Sequence, residues 1–141
     1  MNSTYTVLIV DDNFEDRFLL KRYLKKTGLS LIVLEVSSGL EGIELLKTPL
    51  EELEVKYPGI RVPITLFLDI NMPLMNGWQF LEELESQRKD IKLDPTVVMM
   101  YSTSDDSYDR SKAESYDSVA NYIVKGESTP DSLKEAILSR M

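Results

Sequence analysis

The sequence predicts an α/β domain built around a doubly wound sheet of five parallel strands. Five short apolar runs alternate with segments of helical periodicity, which is the pattern of repeated strand–helix units. Several of these runs are apolar at consecutive positions, as expected when helices cover both faces of the sheet. Crossover connections between parallel strands are right-handed. The strand order expected for such a sheet is 2-1-3-4-5.

The five predicted strands are the apolar runs themselves. They cover residues 5–10, 31–36, 64–69, 96–101 and 119–124. The residues that follow these runs are mostly polar, so the carboxyl edge of the predicted sheet is rich in functional groups.

The first two helices carry recognisable start and stop signals. The first is expected over residues 14–26, and Gly28 then provides a natural stop. The second starts at Ser38, which matches a capping box with Glu41.

The later helices are predicted in the same way. One begins near Asn76, and the last begins at Thr129, an N-cap followed by Pro130 at the first helical position. The helix over residues 107–115 has the weakest pattern, because polar residues dilute its apolar face. Residues 48–63 exceed a typical connection, and we expect a helical extension followed by a loop there.

Length and composition limit the function classes. The 141 residues fit one domain, 1–141, without an effector domain. A net charge of −8 disfavours direct nucleic-acid binding. The sequence has no apolar run of the roughly 18 residues that a membrane span needs. The absence of cysteine excludes a disulfide framework and a thiol nucleophile, and is compatible with a cytoplasmic location.

The chain also contains no histidine. This excludes Ser-His-Asp triads, histidine-ligated metals and an internal phosphohistidine. Any histidine that donates a phosphoryl group to this chain must therefore belong to another molecule.

Three carboxylates follow two strands that are neighbours in the predicted order. Asp11 and Asp12 follow the first strand, and Asp69 ends the third. Carboxylates gathered at one sheet edge repel each other unless a cation or protons intervene, and hard oxygen ligands suit Mg²⁺. The alternative interpretation is structural, with Asp12 or Asn13 capping the first helix.

The residues after Asp69 suit phosphoryl chemistry. A carboxylate at this position can act as a nucleophile and form an acyl phosphate, with a metal neutralising the phosphoryl charge. Asn71 is placed to lend its backbone carbonyl to that metal. An ordinary loop with an Asn76 cap is the alternative explanation of this segment.

Two further strand ends carry groups that bind phosphate. Ser102 and Thr103 follow the fourth strand and offer hydroxyl donors, although such residues are usually turn or cap residues. Lys125 follows the fifth strand and is a natural counterion for a phosphoryl oxygen, unless it is simply a solvated lysine. Together the four strand ends predict one phosphate–metal site.

With these residues in place, the chain resembles the receiver domain of response regulators in two-component signalling, of the chemotaxis type. The resemblance covers nearly the whole chain. Its markers are Asp11-Asp12, the segment from Asp69 to Gly77 (Asp-Ile-Asn-Met-Pro-Leu-Met-Asn-Gly), Ser102 or Thr103, and Lys125.

The resemblance implies a flavodoxin-like fold and a defined activity. A phosphohistidine on a histidine kinase or histidine phosphotransfer protein would phosphorylate Asp69 in the presence of Mg²⁺. Asp12 would bind the metal directly, Asp11 mostly through water, and Asn71 through its backbone carbonyl. Lys125 would contact the phosphoryl group, and such a domain is a phosphoacceptor rather than an enzyme.

The family also implies a switch. Phosphate would draw a hydroxyl inward, with Ser102 favoured and Thr103 the alternative, while Tyr122 changes rotamer. Residues 107–115, the fifth strand and the last helix would then contact a downstream protein target, or the phosphate would pass onward in a phosphorelay. Phosphorylation-dependent homodimerisation is left open.

The chain departs from the family pattern after Lys125. The family usually has a proline there, often with a cis peptide bond, whereas this chain has Gly126. A cis bond before a non-proline residue costs a few kcal/mol, so this loop is expected to be trans or more mobile. Asn121 stands where glycine is common, which is expected to alter a turn only.

Two other function classes compete with the phosphoacceptor. An Mg²⁺-dependent aspartyl phosphatase of the haloacid-dehalogenase type would need a second aspartate two residues after Asp69, where this chain has Asn71. A receiver that binds partners without phosphorylation is disfavoured by the complete set of acceptor-site residues, although Gly126 leaves some room for it.

Overall fold

Five parallel strands form a single sheet in the computed structural model, which describes residues 3–93 and 97–139. The strands are β1 (Thr4–Val10), β2 (Ser30–Val36), β3 (Ile64–Leu68), β4 (Val97–Ser102) and β5 (Val119–Val124). They pair in the order β2-β1-β3-β4-β5. This confirms the predicted doubly wound, flavodoxin-like α/β fold.

Six helices connect or follow the strands in the described part of the chain. They are α1 (Phe14–Lys25), α2 (Gly39–Leu46), α3 (Leu50–Lys56), α4 (Gly77–Ser86), α5 (Ser107–Glu114) and α6 (Pro130–Leu138), with a single 3-10 turn at Arg88–Asp90. None of the helices in residues 3–93 and 97–139 has the length and apolar character needed to cross a membrane.

Two strands, β3 and β4, end one residue away from their predicted ends, and both differences matter for the site. β3 ends at Leu68, so Asp69 is the first residue beyond it, and β4 extends to include Ser102. Thr96, the predicted start of the fourth strand, lies outside the described residues.

The long connection between α2 and β3 holds a separate helix rather than an extension of α2. Pro49 precedes α3 and has no side-chain cap hydrogen bond. Proline disfavours helical backbone in the residue before it, which is Thr48, so α2 ends and the chain restarts as α3. Leu53 is the buried residue of α3, whereas Val55 is exposed.

Side-chain caps define where the other helices begin. Asn13 accepts a hydrogen bond from the N–H of Asp16, so Asn13 caps α1 and Asp12 does not. Ser38 caps α2 as predicted, but the Glu41 carboxylate accepts from the Ser37 N–H and from the hydroxyls of Ser37 and Ser38, not from the Ser38 N–H that a capping box needs. Each such cap contributes about 1 kcal/mol.

Both faces of the sheet are buried, which explains the apolar strands. Along β1, Leu8 and Val10 belong to one core, whereas Val7 and Ile9 belong to the other. The first core packs mainly against α2, α4 and neighbouring segments, and the second mainly against α1 and α6. Each fully buried aliphatic side chain contributes about 1.5–3 kcal/mol to the stability of the fold. The two cores therefore hold the strands in place, and with them the polar residues at the strand ends.

Candidate metal and phosphate site

The carboxyl ends of β1 and β3 bring three carboxylates together. Carboxylate oxygens of Asp11, Asp12 and Asp69 lie within 4.8 Å of one another. The backbone holds this arrangement, because the N–H of Asp69 donates to the Val10 carbonyl at 3.0 Å. Asp11 and Asp69 are buried, whereas Asp12 is exposed. The predicted carboxylate cluster is therefore present.

Burial and like charge strongly affect Asp69. Burial, followed by repulsion from Asp11, raises the pKa of Asp69 to about 7, although Lys125 acts in the opposite direction. A cation between these carboxylates would relieve that repulsion and favour the ionised form. An all-oxygen donor set with an exposed member fits Mg²⁺, which retains several waters.

Lys125 projects from the end of β5 into the same cluster. Its Nζ lies 2.7 Å from Asp11 Oδ2, 2.8 Å from Asp16 Oδ2 and 3.4 Å from Asp69 Oδ1. Burial alone would lower the pKa of Lys125, but hydrogen bonds to Asp11 and Asp16 outweigh it and raise the pKa well above its ordinary value. Lys125 is therefore charged across the physiological range and offsets part of the acidic charge.

A side chain of α1 contacts the backbone of Asp11. Arg17 Nη1 donates to the Asp11 carbonyl at 2.8 Å, and Arg17 Nε donates to Glu35 at 2.9 Å. Lys21 also pairs with Glu35. Burial would raise the pKa of Glu35, but the hydrogen bonds to Lys21 and Arg17 lower it.

Ser102 and Thr103 occupy different environments. Ser102 is fully buried, and its hydroxyl accepts a hydrogen bond from the Ser104 N–H at 3.2 Å. Thr103 is exposed. The Lys125 N–H donates to the Ser102 carbonyl at 2.7 Å, so Ser102 and Lys125 are adjacent on neighbouring strands. Which of the two hydroxyls belongs to the site stays a prediction.

Tyr122 is connected to the loop that follows β4. Its hydroxyl donates to the Ser104 carbonyl at 2.8 Å, and the guanidinium of Arg110 lies 5.0 Å from the ring centroid. Ser104 in turn donates through its hydroxyl to Asp109 at 2.7 Å. Tyr122 is therefore hydrogen-bonded to the loop that follows β4, and its role as a switch stays a prediction.

The loop after Asp69 turns sharply towards α4. Leu74 is exposed and has a φ of 68°, which places it in the left-handed region. Asn71 is exposed at the start of this loop. Metal binding through the Asn71 carbonyl stays a prediction.

The loop after Lys125 begins with a trans peptide bond. Within residues 3–93 and 97–139 the one cis peptide bond is Val62–Pro63, so the Lys125–Gly126 bond is trans. Gly126 has a φ of 89°, a conformation that glycine adopts readily. The trans geometry agrees with one of the two expectations for this loop.

Sequence reasoning missed Asp16. It lies on the first turn of α1, and the sequence signal was a further aspartate closely following the Asp11-Asp12 pair. Only the structure shows that the start of α1 and the end of β5 lie close enough for this aspartate to reach Lys125.

Comparison with known proteins agrees with this fold. The family model for the response regulator receiver domain matches residues 7–138. The chain therefore belongs to the response regulator receiver domain family, the receivers of two-component systems.

Two curated relatives illustrate this membership. The chain is 32% identical over 135 residues to a chemotaxis protein CheY homolog of Campylobacter jejuni, covering 93% of this chain and 88% of that protein. It is also 37% identical over 87 residues to the sensor histidine kinase CheAY of Helicobacter pylori. That second match covers 62% of this chain but only 9% of the kinase.

A solved structure has the same fold. The receiver domain of the histidine kinase CKI1 from Arabidopsis thaliana, in complex with Mg²⁺ and BeF₃⁻, is 25% identical and superposes with a TM-score of 0.70. The superposition covers 94% of this chain and 89% of the CKI1 chain.

Proposed function

We propose that this chain accepts a phosphoryl group on Asp69 from a phosphohistidine of a histidine kinase or histidine phosphotransfer protein. The observation that carries the proposal is the convergence of Asp69, Asp11, Asp12 and Lys125 at one edge of the sheet. This set supplies a nucleophile, a metal site and a fixed positive charge, which are the parts that phosphoryl transfer requires.

The transfer would be a direct displacement at phosphorus. An ionised Asp69 oxygen forms the new O–P bond while the donor's N–P bond breaks, and the electron pair of that bond stays on the donor imidazole. The donor is in trans because this chain has no histidine. Asp11, Asp12, Asp69 and the Asn71 carbonyl would hold Mg²⁺, which when bound neutralises phosphoryl charge.

Lys125 would contact the phosphoryl group directly. Its ammonium is already 3.4 Å from Asp69 Oδ1, so a phosphoryl oxygen attached there comes within reach. A buried and permanently charged lysine stabilises an anion more than a solvated one does, because less water screens the interaction.

The proposed readout passes through Ser102 and Tyr122. The Ser102 hydroxyl accepts from the Ser104 N–H and keeps its own proton for donation to a phosphoryl oxygen. A shift of Ser102 would move Ser104, whose carbonyl is bonded to the Tyr122 hydroxyl. The new charge would thus bias two existing arrangements of this loop.

We further propose that α5, β5 and α6 present the altered surface to a downstream protein target. Passage of the phosphate to another histidine protein, and homodimerisation on phosphorylation, are variants of the same proposal. We also propose that the protein acts in the cytoplasm, where ATP-dependent kinases act.

The decisive experiment follows intact mass after incubation with Mg²⁺ and a small acyl-phosphate donor. Wild type is expected to gain one phosphoryl group, and Asp69→Asn none. Asp131→Asn, which changes an exposed aspartate on α6, serves as the matched control and should behave like wild type.

A wild-type chain that takes no phosphate from the small donor or from a phosphohistidine protein would contradict the proposal. Such a chain would fit a binding module that works without phosphorylation. Fast multiple turnover of a phosphate ester would instead indicate a phosphatase.

A further inference from the structure

Asp16 is a fourth carboxylate at the site, and the proposed transfer gives it no role. It lies on the first turn of α1, and its Oδ2 is 2.8 Å from Lys125 Nζ. This contact is as short as the one between Lys125 and Asp11, at 2.7 Å. It joins residues that are 109 positions apart in the chain.

We propose that Asp16 is a positioning residue that holds Lys125 in the unphosphorylated state and competes with the phosphoryl group for its ammonium. The inference rests on the proposed phosphorylation of Asp69. It makes Asp16 a determinant of how readily the site accepts and keeps phosphate.

The competition follows from the number of donors on the lysine. An ammonium group has three N–H donors, and the three carboxylates of Asp11, Asp16 and Asp69 already surround this one. The Asp69 contact, at 3.4 Å, is the longest, so the two strong hydrogen bonds go to Asp11 and Asp16. A lysine that turns towards a phosphoryl group on Asp69 must move away from one of these two.

Solvent exposure decides which of the two contacts is lost. The Asp11 side chain is 4% exposed and is held by the Asn13 N–H at 2.9 Å. The Asp16 side chain is 34% exposed. A carboxylate that can turn into water loses little when its partner leaves, whereas a buried one would be left uncompensated. Asp16 is therefore the partner that Lys125 can leave at the lower cost.

The backbone of Asp16 does not depend on the ion pair. Its N–H donates to the Asn13 side chain at 2.9 Å as part of the helix cap. Release of Lys125 therefore frees the Asp16 side chain without unwinding α1. The ion pair joins α1 to the end of β5, and phosphorylation would dissolve that connection.

The test compares Asp16→Asn with Glu15→Gln. Both variants remove one negative charge from the first turn of α1, but Glu15 is exposed, and the carboxylates that pair with Lys125 in the described residues are those of Asp11, Asp16 and Asp69. Each protein is titrated with fluoroberyllate, a phosphoryl mimic, at saturating Mg²⁺, and bound fluorine is followed by NMR. Because partly exposed ion pairs contribute little, Asp16→Asn is expected to bind fluoroberyllate about threefold more tightly, and Glu15→Gln as wild type does.

A second readout reports the contact itself. The Lys125 ammonium resonance of the fluoroberyllate-free protein should shift in Asp16→Asn and stay in place in Glu15→Gln. Asp16→Ser, which keeps a polar residue on the first turn, should reproduce Asp16→Asn and guards against a folding defect in that variant.

The results separate the two proposals. Equal or weaker binding by Asp16→Asn would overturn the competition, and equal tightening in Glu15→Gln would assign the effect to the general field of α1. If wild type neither binds fluoroberyllate nor takes phosphate, the proposed function fails and this inference fails with it. If wild type is phosphorylated but Asp16→Asn is unaltered, only this inference fails.

Discussion

Gly77, the first residue of α4, packs directly against the backbone carbonyl of Asp69. A Cβ atom at position 77 would lie 2.5 Å from the Asp69 oxygen and 3.0 Å from the Cα of Ile70. The Gly77 N–H also donates to the Ile70 carbonyl at 2.8 Å. The start of α4 therefore fixes the backbone that carries the proposed phosphoacceptor.

We expect Gly77→Ala to destabilise the fold by about 1–3 kcal/mol, because the added methyl group meets backbone that must shift. The same shift would displace Asp69, so Mg²⁺ affinity should fall too. Urea unfolding and a Mg²⁺ titration measure the two effects.

Gly28→Ala is the control. A Cβ atom at position 28 would meet nothing within 4 Å, but the φ of 79° makes an alanine there about 1 kcal/mol less stable. Unchanged Mg²⁺ affinity in Gly77→Ala would contradict this prediction.

Asp69→Asn should make the metal-free protein more stable at pH 8 than wild type. The pKa of Asp69 is raised from 3.8 to about 7 in the folded state, so folding favours the protonated form. This favourable contribution is fully present below pH 4 and is lost as the pH rises to about 7. The difference between variant and wild type should therefore grow over that range, to roughly 2–4 kcal/mol.

Thermal or urea unfolding at pH 4 and pH 8 measures this difference in the free energy of unfolding. Mg²⁺ should reduce the difference at pH 8, because a bound cation stabilises the ionised carboxylates of wild type. If the difference in the free energy of unfolding did not depend on pH, the pKa of Asp69 would not be raised by folding and this prediction would be wrong.

Ser102→Ala and Thr103→Ala should separate the two candidate hydroxyls. Ser102→Ala removes a buried acceptor of the Ser104 N–H and should lower the free energy of unfolding by about 1 kcal/mol. Because Thr103 is exposed, Thr103→Ala should leave the free energy of unfolding almost unchanged. When fluoroberyllate is added, the amide resonances of residues 103–106 should shift in Thr103→Ala and should shift much less in Ser102→Ala. The opposite result would assign the switch hydroxyl to Thr103.

Tyr122→Phe removes one hydrogen bond and keeps the ring beneath Arg110. The lost contact is the 2.8 Å hydrogen bond to the Ser104 carbonyl, so we expect a stability loss of about 1 kcal/mol by chemical denaturation. Tyr108→Phe, on the exposed side of α5, should be neutral. An equal effect in both variants would argue against a specific role for the Tyr122 hydroxyl.

The sequence pattern was sufficient to predict the strands and their order, because each apolar run stops at a polar residue that the sheet then holds in place. Asp69 beyond β3 and Lys125 beyond β5 are examples. The break between α2 and α3 was missed, although Pro49 was its visible cause. The Glu41 carboxylate accepts from Ser37 and from the Ser38 hydroxyl rather than from the Ser38 N–H, a side-chain geometry that spacing does not encode.

The site was predictable where it depends on strand ends and unpredictable where it depends on helix packing. Asp11, Asp12 and Asp69 follow from neighbouring strands, whereas Asp16 reaches Lys125 because the first turn of α1 lies close to the end of β5 in the folded structure. The distinct roles of Asp11 and Asp12 as metal ligands, the Asn71 carbonyl, and the extent of the protein as one domain stay predictions.

The contact between Asp16 and Lys125 also has a consequence for synthesis of the protein on the ribosome. Asp11, Asp12 and Asp16 are synthesised early, but Lys125, which pairs with Asp11 and Asp16, comes 109 residues after Asp16 and directly follows β5. A nascent chain that has not yet exposed β5 holds unbalanced carboxylates and has no complete acceptor site. The proposed acceptor function therefore has to wait until β5 has left the ribosome and joined the sheet.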